Sequence, residues 1–186
     1  MRDLVKPALV LFVIAAVAAA CLGYVSAITA EPIAQAEADA KAENMAKVLE
    51  CEEWGEAVAV SDSIITDYSE GKTGGETVGY AFSVTTKGYG SGLKLMVGVD
   101  TEGTITGLAI VDCSNETPGL GANASKPEFY EQFAGKSGEL TVVKTGATND
   151  SEVDAITGAT ITSKAVTGAV NEVTNYFNEN VKGGAN

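Results

Sequence analysis

The longest uninterrupted run of apolar positions lies near the N-terminus. Residues 7–30 contain no charged side chain and consist mostly of Ala, Val, Leu and Ile. A helix needs about 20 such residues to cross a bilayer, so this run predicts a transmembrane helix. Arg2 and Lys6 precede the run and acidic residues follow it. By the positive-inside rule, the N-terminus is cytoplasmic and the rest of the chain lies outside the cytoplasm.

Two other interpretations of this run stay open. One is a cleaved signal peptide, although the run is longer than the apolar region of a typical signal peptide. The other is a lipoprotein acylated on Cys21. It is less favoured because residues 22–28 stay apolar and Ala18 stands where leucine is commonest.

Behind this run, residues 31–53 show apolar positions at helical spacing among Ala, Glu, Asp and Lys, which are mostly strong helix formers. We interpret this segment as a stalk helix that is ended by Trp54 and Gly55. The predicted organisation is a cytoplasmic N-terminus, a transmembrane helix, a stalk helix and an extracytoplasmic domain, at residues 1–6, 7–29, 30–55 and 56–186.

The remaining positions indicate one α+β domain. Runs rich in Val, Ile, Thr and aromatic residues, separated by glycine-containing turns, predict strands at 57–65, 77–86, 93–99 and 104–112. Further along, the pattern predicts a short helix at 126–134, a strand at 140–144 and a helix at 161–178. The predicted apolar face of the last helix comprises Ile161, Ala165, Val166, Val170, Val173 and Phe177. These elements predict an antiparallel β-sheet packed with helices.

Composition excludes several classes of function. A net charge of −13 argues against nucleic-acid binding, which needs clustered basic residues. Arg2 is the only arginine, so the domain has no guanidinium fork for a phosphate. The chain has no histidine, which removes the usual catalytic triads and His-rich metal sites. We therefore predict neither a catalytic residue nor a metal site, and a disulfide between Cys51 and Cys113 stays open.

Three glycine-containing motifs carry less information than they suggest. Gly71-Lys72-Thr73 and Gly135-Lys136-Ser137 lack the earlier glycine that a P-loop requires. Gly119-Leu120-Gly121 fits a loose dinucleotide pattern, but no Rossmann crossover follows it.

The glycine-rich segment at 87–92 is either a flexible hairpin loop or a place where the backbone approaches a ligand closely.

One hydroxyl-rich segment stands out. Residues 154–163 contain four Ser or Thr residues and one glycine, directly before the predicted C-terminal helix. The first amides of a helix have no intrahelical partner and favour an anion, so a phosphate fits this position. The alternative is an ordinary Ser or Thr cap preceded by a turn.

The same segment carries a family resemblance. Asp154-Ala155-Ile156-Thr157-Gly158-Ala159-Thr160 resembles the flavinylation motif of the FMN-binding domain family, which usually has Ser where Thr157 stands. A second signature of that family is similar to Glu116-Thr117-Pro118-Gly119-Leu120-Gly121, in the same order along the chain. Together with Gly88-Tyr89-Gly90 and the segments 97–108 and 129–135, the resemblance covers roughly residues 78–177.

The resemblance implies a set of flavin-binding residues. FMN would be joined to Thr160 by a phosphoester bond, making the chain a phosphoprotein in that sense. A Mg²⁺-dependent flavin transferase would place it there, using FAD as donor and recognising Asp154, Thr157, Gly158 and Ala159. The phosphate would lie within reach of Thr162, Ser163 and Lys164. The ring would lie against Glu116, Thr117, Gly119, Leu120 and Gly121, with Tyr89 able to stack on it and Lys126 able to offset its charge.

The resemblance also implies a function. It indicates an electron-transfer component of a membrane-bound, ion-translocating oxidoreductase that works between ferredoxin and NAD⁺, with other membrane and redox subunits as partners. Chain length favours this Rnf-type system, as its G component, over the typically longer C component of the Na⁺-translocating NADH:quinone reductases. The coupling ion, Na⁺ or H⁺, stays open. Two alternatives remain: another extracytoplasmic flavoprotein system, and a flavin-free binding domain in which Thr160 only caps a helix.

Overall fold

The computed structural model describes residues 2–61, 63–144 and 146–182. The chain forms two compact units, Met1–Ala42 and Glu43–Asn186. A first helix, α1, runs from Arg2 to Val48. By length and composition, its stretch Lys6–Val48 is suited to crossing a membrane, in agreement with the predicted transmembrane helix. This finding fits a single-pass membrane protein.

An antiparallel sheet forms the framework of the second unit. Its strands are β1 (Glu53–Trp54), β2 (Val58–Ala59), β3 (Ile65–Thr73), β4 (Glu76–Thr86), β5 (Leu93–Asp100) and β6 (Ile105–Asp112). The strand order is β1-β3-β4-β5-β6, and β2 also pairs with β3. A separate parallel pair consists of β7 (Thr141–Val143) and β8 (Glu152–Asp154). The helices are α2 (Pro127–Tyr130) and α3 (Thr160–Tyr176). The predicted α+β class is confirmed.

The two faces of the large sheet bury different sets of side chains. On one face, β4 and β5 pack against α3 through fully buried residues such as Phe82, Val166 and Val170. Each such side chain contributes about 1.5–3 kcal/mol when it is removed from water. On the other face, Met45 and Val48 of α1 pack against Ala81, Met96 and Ala109. The sheet therefore holds α3 and the end of α1 on opposite sides.

The predicted strand at 57–65 is only partly present, because residues 58–59 form β2 and the next strand begins at Ile65. The main strand of this region is β3, which reaches Thr73 and turns at Gly74. Its central buried positions are Ser69 and Gly71, and Leu49 occupies the space over Gly71. Because these buried positions hold a small and a polar residue, the sequence lacks the alternation of apolar and polar residues by which a strand is recognised.

The stalk helix ends earlier than predicted. Instead of continuing to residue 55, α1 stops at Val48, and residues 53–54 pair with β3. The change of partner starts at Glu52, whose N–H donates to the Lys72 carbonyl at 2.9 Å. Residues 53–54 therefore pair with β3 as a strand, although the spacing of apolar residues at 49–53 predicts a helix.

Smaller differences occur in the C-terminal half. The predicted helix at 126–134 is only one α-helical turn, followed by a 3₁₀ turn at Glu131–Phe133. The parallel strand β8 was not predicted. Ile161 does not join the apolar core face of α3, since its side chain is 58% exposed. Cys51 and Cys113 are free thiols in the structure.

Thr167 offers a stability prediction. Its side chain is 2% exposed, and its hydroxyl has no hydrogen-bond partner within the described residues. Burying an unpaired hydroxyl costs about 1–3 kcal/mol, and valine has the same branched shape with similar helix propensity. We therefore expect Thr167→Val to raise the free energy of unfolding by about 1 kcal/mol, as measured by chemical denaturation of the detergent-solubilised protein.

Thr174→Val is the matched control for this substitution. Thr174 is also buried on α3, but its hydroxyl donates to the Asn171 carbonyl at 3.0 Å. Loss of that hydrogen bond is expected to lower stability by about 1 kcal/mol. A Thr167→Val protein less stable than the wild type would contradict the prediction.

Candidate cofactor site

Thr160 is the first residue of α3, and its side chain is exposed. Ala159 occupies the N-cap position, and no side chain caps the helix there. The first helical hydrogen bond runs from the Ser163 N–H to the Ala159 carbonyl at 3.0 Å. Within the described residues, the amides of residues 160–162 therefore lack an acceptor, as helix N-termini generally do. The interpretation of Thr160 as a helix cap is wrong.

The turn in front of α3 is held by Ser163. Its hydroxyl accepts a hydrogen bond from the Ile156 N–H at 2.9 Å and donates one to the Ala159 carbonyl at 3.0 Å. Gly158 lies in this turn at φ +77°, a conformation that costs any residue with a Cβ about 1–2 kcal/mol. Ser163 thus fixes residues 156–159 against the helix, and the Thr160 hydroxyl stays free of that network.

A cavity of about 460 Å³ opens beside Thr160. This volume lies within the range of small-molecule and cofactor sites, about 300–1,000 Å³. No charged side chain is among its lining residues, which are Tyr89, Thr117, Leu120, Gly121, Gly158, Ala159, Thr160, Ile161 and Thr162. A ligand here would meet apolar surface, hydroxyl groups and backbone amides.

Exposed apolar side chains mark the cavity as unusual. Tyr89, Leu120 and Ile161 are 69%, 41% and 58% exposed, and all three line the cavity. Large apolar side chains that stay exposed around one concave surface are typical of binding sites. The wall therefore has the composition expected for contact with a flat aromatic group.

The wall opposite α3 is built around Glu116. The Thr162 hydroxyl donates to Glu116 Oε2 at 2.6 Å, and the Gly90 N–H donates to Glu116 Oε1 at 3.1 Å. These two bonds connect the 87–92 loop and the start of α3 to the segment at 116–121. The carboxylate lies behind the cavity wall rather than on its surface.

The segment after Glu116 forms a tight turn. The N–H groups of Leu120 and Ala122 both donate to the Thr117 carbonyl, at 3.1 and 3.2 Å. Gly119 allows this turn through its φ of +76°. The turn brings Thr117, Leu120 and Gly121 to the cavity and leaves Gly119 outside the lining.

The structure separates the predicted site residues into two groups. Eight line the cavity: Tyr89, Thr117, Leu120, Gly121, Gly158, Ala159, Thr160 and Thr162. The others do not line it: Glu116, Gly119, Asp154, Thr157, Ser163 and Lys164. Their direct contact with a flavin stays a prediction that the lining does not support.

Asp154 belongs to a different part of the surface. Its carboxylate accepts a hydrogen bond from the Ala147 N–H at 2.9 Å, and its own N–H donates to Gln132 Oε1 at 2.8 Å. Asp154 and Lys126 line a second concave surface of about 300 Å³ next to Gln132. Lys126 therefore lies outside the cavity that contains Thr160.

Two features of the site were missed from sequence. Ile161 lines the cavity, although helical spacing assigned it to the core. The glycines at 88 and 90 make room for protein atoms: a Cβ at Gly88 would lie 2.3 Å from Glu116 Oε1, and one at Gly90 would lie 2.1 Å from the Asn115 carbonyl oxygen. The close approach expected of this loop is thus to residues 115–116 rather than to a ligand.

Comparisons with known proteins agree with this description. Residues 88–175 match the FMN-binding domain family, and residues 2–48 match the RnfG N-terminal region. The chain is 40% identical to the G subunit of the Na⁺-translocating ferredoxin:NAD⁺ oxidoreductase complex of Acetobacterium woodii, over 89% of this chain and 87% of that protein. It is 33% identical to the G subunit of the ion-translocating oxidoreductase complex of Methanosarcina acetivorans, over 94% and 95% of the two chains.

A solved structure supports the fold. The crystal structure of NqrC from Shewanella oneidensis superposes with a TM-score of 0.50 at 20% identity, over 69% of this chain and 66% of that one. The antiparallel sheet with its packed helices is therefore an NqrC-like fold. The chain belongs to the RnfG family, the G subunits of ion-translocating, Rnf-type oxidoreductase complexes, and its residues 88–175 are an FMN-binding domain.

Proposed function

We propose that the chain is a membrane-bound electron-transfer flavoprotein that carries FMN on Thr160 through a phosphoester bond. One observation carries this proposal: an exposed threonine hydroxyl, free of the local hydrogen-bond network, stands at the start of α3 and at the edge of an uncharged cavity. The family match over this region supplies the cofactor's identity.

The composition of the cavity favours a covalent link. No lysine or arginine lines it, so a phosphate held there reversibly would depend on neutral donors, namely backbone amides and threonine hydroxyls. The unpartnered amides at the start of α3 and the helix dipole favour an anion but are screened by solvent near the surface. A bond to Thr160 keeps the cofactor bound even where free FMN is dilute.

The remaining lining residues fit the isoalloxazine ring. Tyr89, Leu120 and Ile161 offer exposed apolar surface to a flat ring. When bound, FMN supplies the electron-accepting and electron-donating chemistry. The protein's contribution is to orient the ring and to cover part of its surface from water.

Maturation requires a partner. The Thr160 hydroxyl oxygen would form a bond to the FMN phosphorus as the pyrophosphate bond of FAD breaks. AMP leaves, and the hydroxyl proton passes to a base on a Mg²⁺-dependent flavin transferase. Thr157 and Gly158 are exposed beside Thr160, so a second protein can reach this segment. Asp154 would support recognition indirectly, through the Ala147 contact that shapes the preceding loop.

We further infer the setting of this electron transfer. The chain would work with the other redox and membrane subunits of an Rnf-type translocase, passing electrons between ferredoxin and NAD⁺ during ion transport, as the name of the Acetobacterium relative states for that complex. Residues 7–29 would cross the cell membrane, with residues 1–6 in the cytoplasm and residues 56–186 outside it.

Reductant specificity tests this function. In membranes containing the complete complex, reduced ferredoxin should bleach the flavin absorbance of this chain, and NAD⁺ should restore it. Membranes carrying Thr160→Ala should lack this response while retaining the other subunits. Bleaching by a quinol instead of by ferredoxin would contradict the Rnf-type assignment and favour a quinone-reductase system.

A further inference from the structure

Glu116 is the only buried charged side chain in the part of the chain that the structure describes. It is 3% exposed, and the other buried polar residues are neutral: Ser69, Thr162, Ser163, Thr167 and Thr174. Charged side chains are almost never fully buried unless they are paired. A carboxylate in this position therefore requires an explanation beyond packing.

Neutral donors alone compensate this carboxylate. Thr162 and Gly90 each donate one hydrogen bond, and no lysine within the described residues forms an ion pair with it. Burying a charge without a counter-ion is unfavourable, and each such hydrogen bond offsets only part of that cost. The charge is thus kept in place, but it is not neutralised.

The surrounding backbone is built to admit the carboxylate. A Cβ at Gly121 would lie 2.2 Å from Glu116 Oε2, and a Cβ at Gly88 would lie 2.3 Å from Oε1. Two glycines from separate segments therefore leave the space that the two oxygens occupy. The two glycines therefore determine where the carboxylate oxygens lie, in addition to allowing the side chain to fit.

The carboxylate lies directly behind the cavity beside Thr160. Gly121 and Thr162, which line that cavity, are the residues that touch Glu116 Oε2 or limit its space. Only one layer of protein separates the charge from any ligand in the cavity. Because a protein interior screens charges less than water does, this carboxylate acts on any charge that develops in the cavity.

We propose that Glu116 sets the reduction potential of the flavin in this cavity. The inference rests on the proposed function, because it assumes FMN on Thr160. The carboxylate opposes any added negative charge in the cavity and therefore disfavours reduction, which lowers the midpoint potential. Glu116 acts through the wall formed by Thr162 and Gly121, as an electrostatic positioning residue that does not touch the cofactor.

Glu116→Gln tests the proposal, because glutamine has nearly the same shape without the charge. The flavin-loaded full chain in detergent would be titrated by spectroelectrochemistry. We expect the one-electron equilibrium constant for flavin reduction to increase roughly tenfold. This increase corresponds to a rise of about 59 mV in the midpoint potential. An unchanged potential in a folded, fully flavin-loaded variant would overturn the proposal and leave Glu116 as a structural clamp.

A second variant covers the case in which Glu116→Gln does not fold. Thr162→Val removes one donor to the carboxylate, which leaves the negative charge less compensated, and should lower the potential. A flavin-loaded Thr162→Val protein with the wild-type potential would also overturn the proposal. Failure of the proposed function gives a different result, since the wild-type chain would then carry no flavin to titrate.

Discussion

Thr160→Ala is expected to eliminate flavin attachment completely. Alanine lacks the hydroxyl oxygen that would bond to phosphorus, and the neighbouring hydroxyls of Thr162 and Ser163 are buried and engaged in hydrogen bonds. The protein would be co-expressed with the flavin transferase, denatured, separated on a gel and illuminated with ultraviolet light. The wild-type band should fluoresce, and the Thr160→Ala band should be dark.

Thr160→Ser is the matched control for this experiment. Serine keeps the hydroxyl at the same backbone position, and the exposed side chain of Thr160 makes no packing contribution to the core. We expect the Ser variant to retain a fluorescent band and both variants to unfold at the wild-type denaturant concentration. A fluorescent Thr160→Ala band would exclude Thr160 as the attachment point.

Gly121→Ala is expected to have the largest effect on stability among substitutions at the site. The new Cβ would lie 2.2 Å from Glu116 Oε2 and 2.7 Å from Thr162 Oγ1, so the buried carboxylate would have to move. Overpacking costs about 1–3 kcal/mol, and a weakened hydrogen bond to a buried charge adds a comparable amount. We expect a loss of about 3 kcal/mol or more in the free energy of unfolding, together with reduced flavin loading.

Gly119→Ala separates crowding from backbone strain. Gly119 lies two residues earlier at φ +76°, and a Cβ there would meet no atom within 4 Å. Its substitution should cost about 1–2 kcal/mol from the left-handed conformation alone. Chemical denaturation of both variants measures the difference. A Gly121→Ala protein as stable as Gly119→Ala would show that the space around Glu116 is not tight.

The parts of the fold that could be predicted are those in which one face of an element is apolar. Strands β4, β5 and β6 carry large apolar residues such as Phe82, Val97 and Leu108 at buried positions, so their runs of apolar and β-branched residues are visible in the sequence. In β3, Ser69 and Gly71 are buried, and at Gly71 the apolar volume comes from Leu49, in the segment just after α1. A strand whose core contribution comes from another element leaves little signal in its own residues.

The site was only partly predictable for a related reason. Its two motifs, at 116–121 and 154–160, were found as separate patterns of residue types. Their contact depends on the bond between Glu116 and Thr162, which are 46 residues apart. The spacing of residues within either motif does not predict this contact, because it depends on how the chain between the two motifs folds. Ile161 was misassigned for a similar reason. Helical periodicity predicts the face of the helix on which a side chain lies, but it does not predict that the first turn extends beyond the core.

Peptide mapping by mass spectrometry tests the central claim most directly. Trypsin cleaves after Lys144 and Lys164, which releases the attachment segment as one peptide. In protein co-expressed with the transferase, this peptide should be heavier by the mass of FMN less one water, and fragment ions should place the addition on Thr160. An unmodified peptide, or an addition on another hydroxyl, would contradict the account.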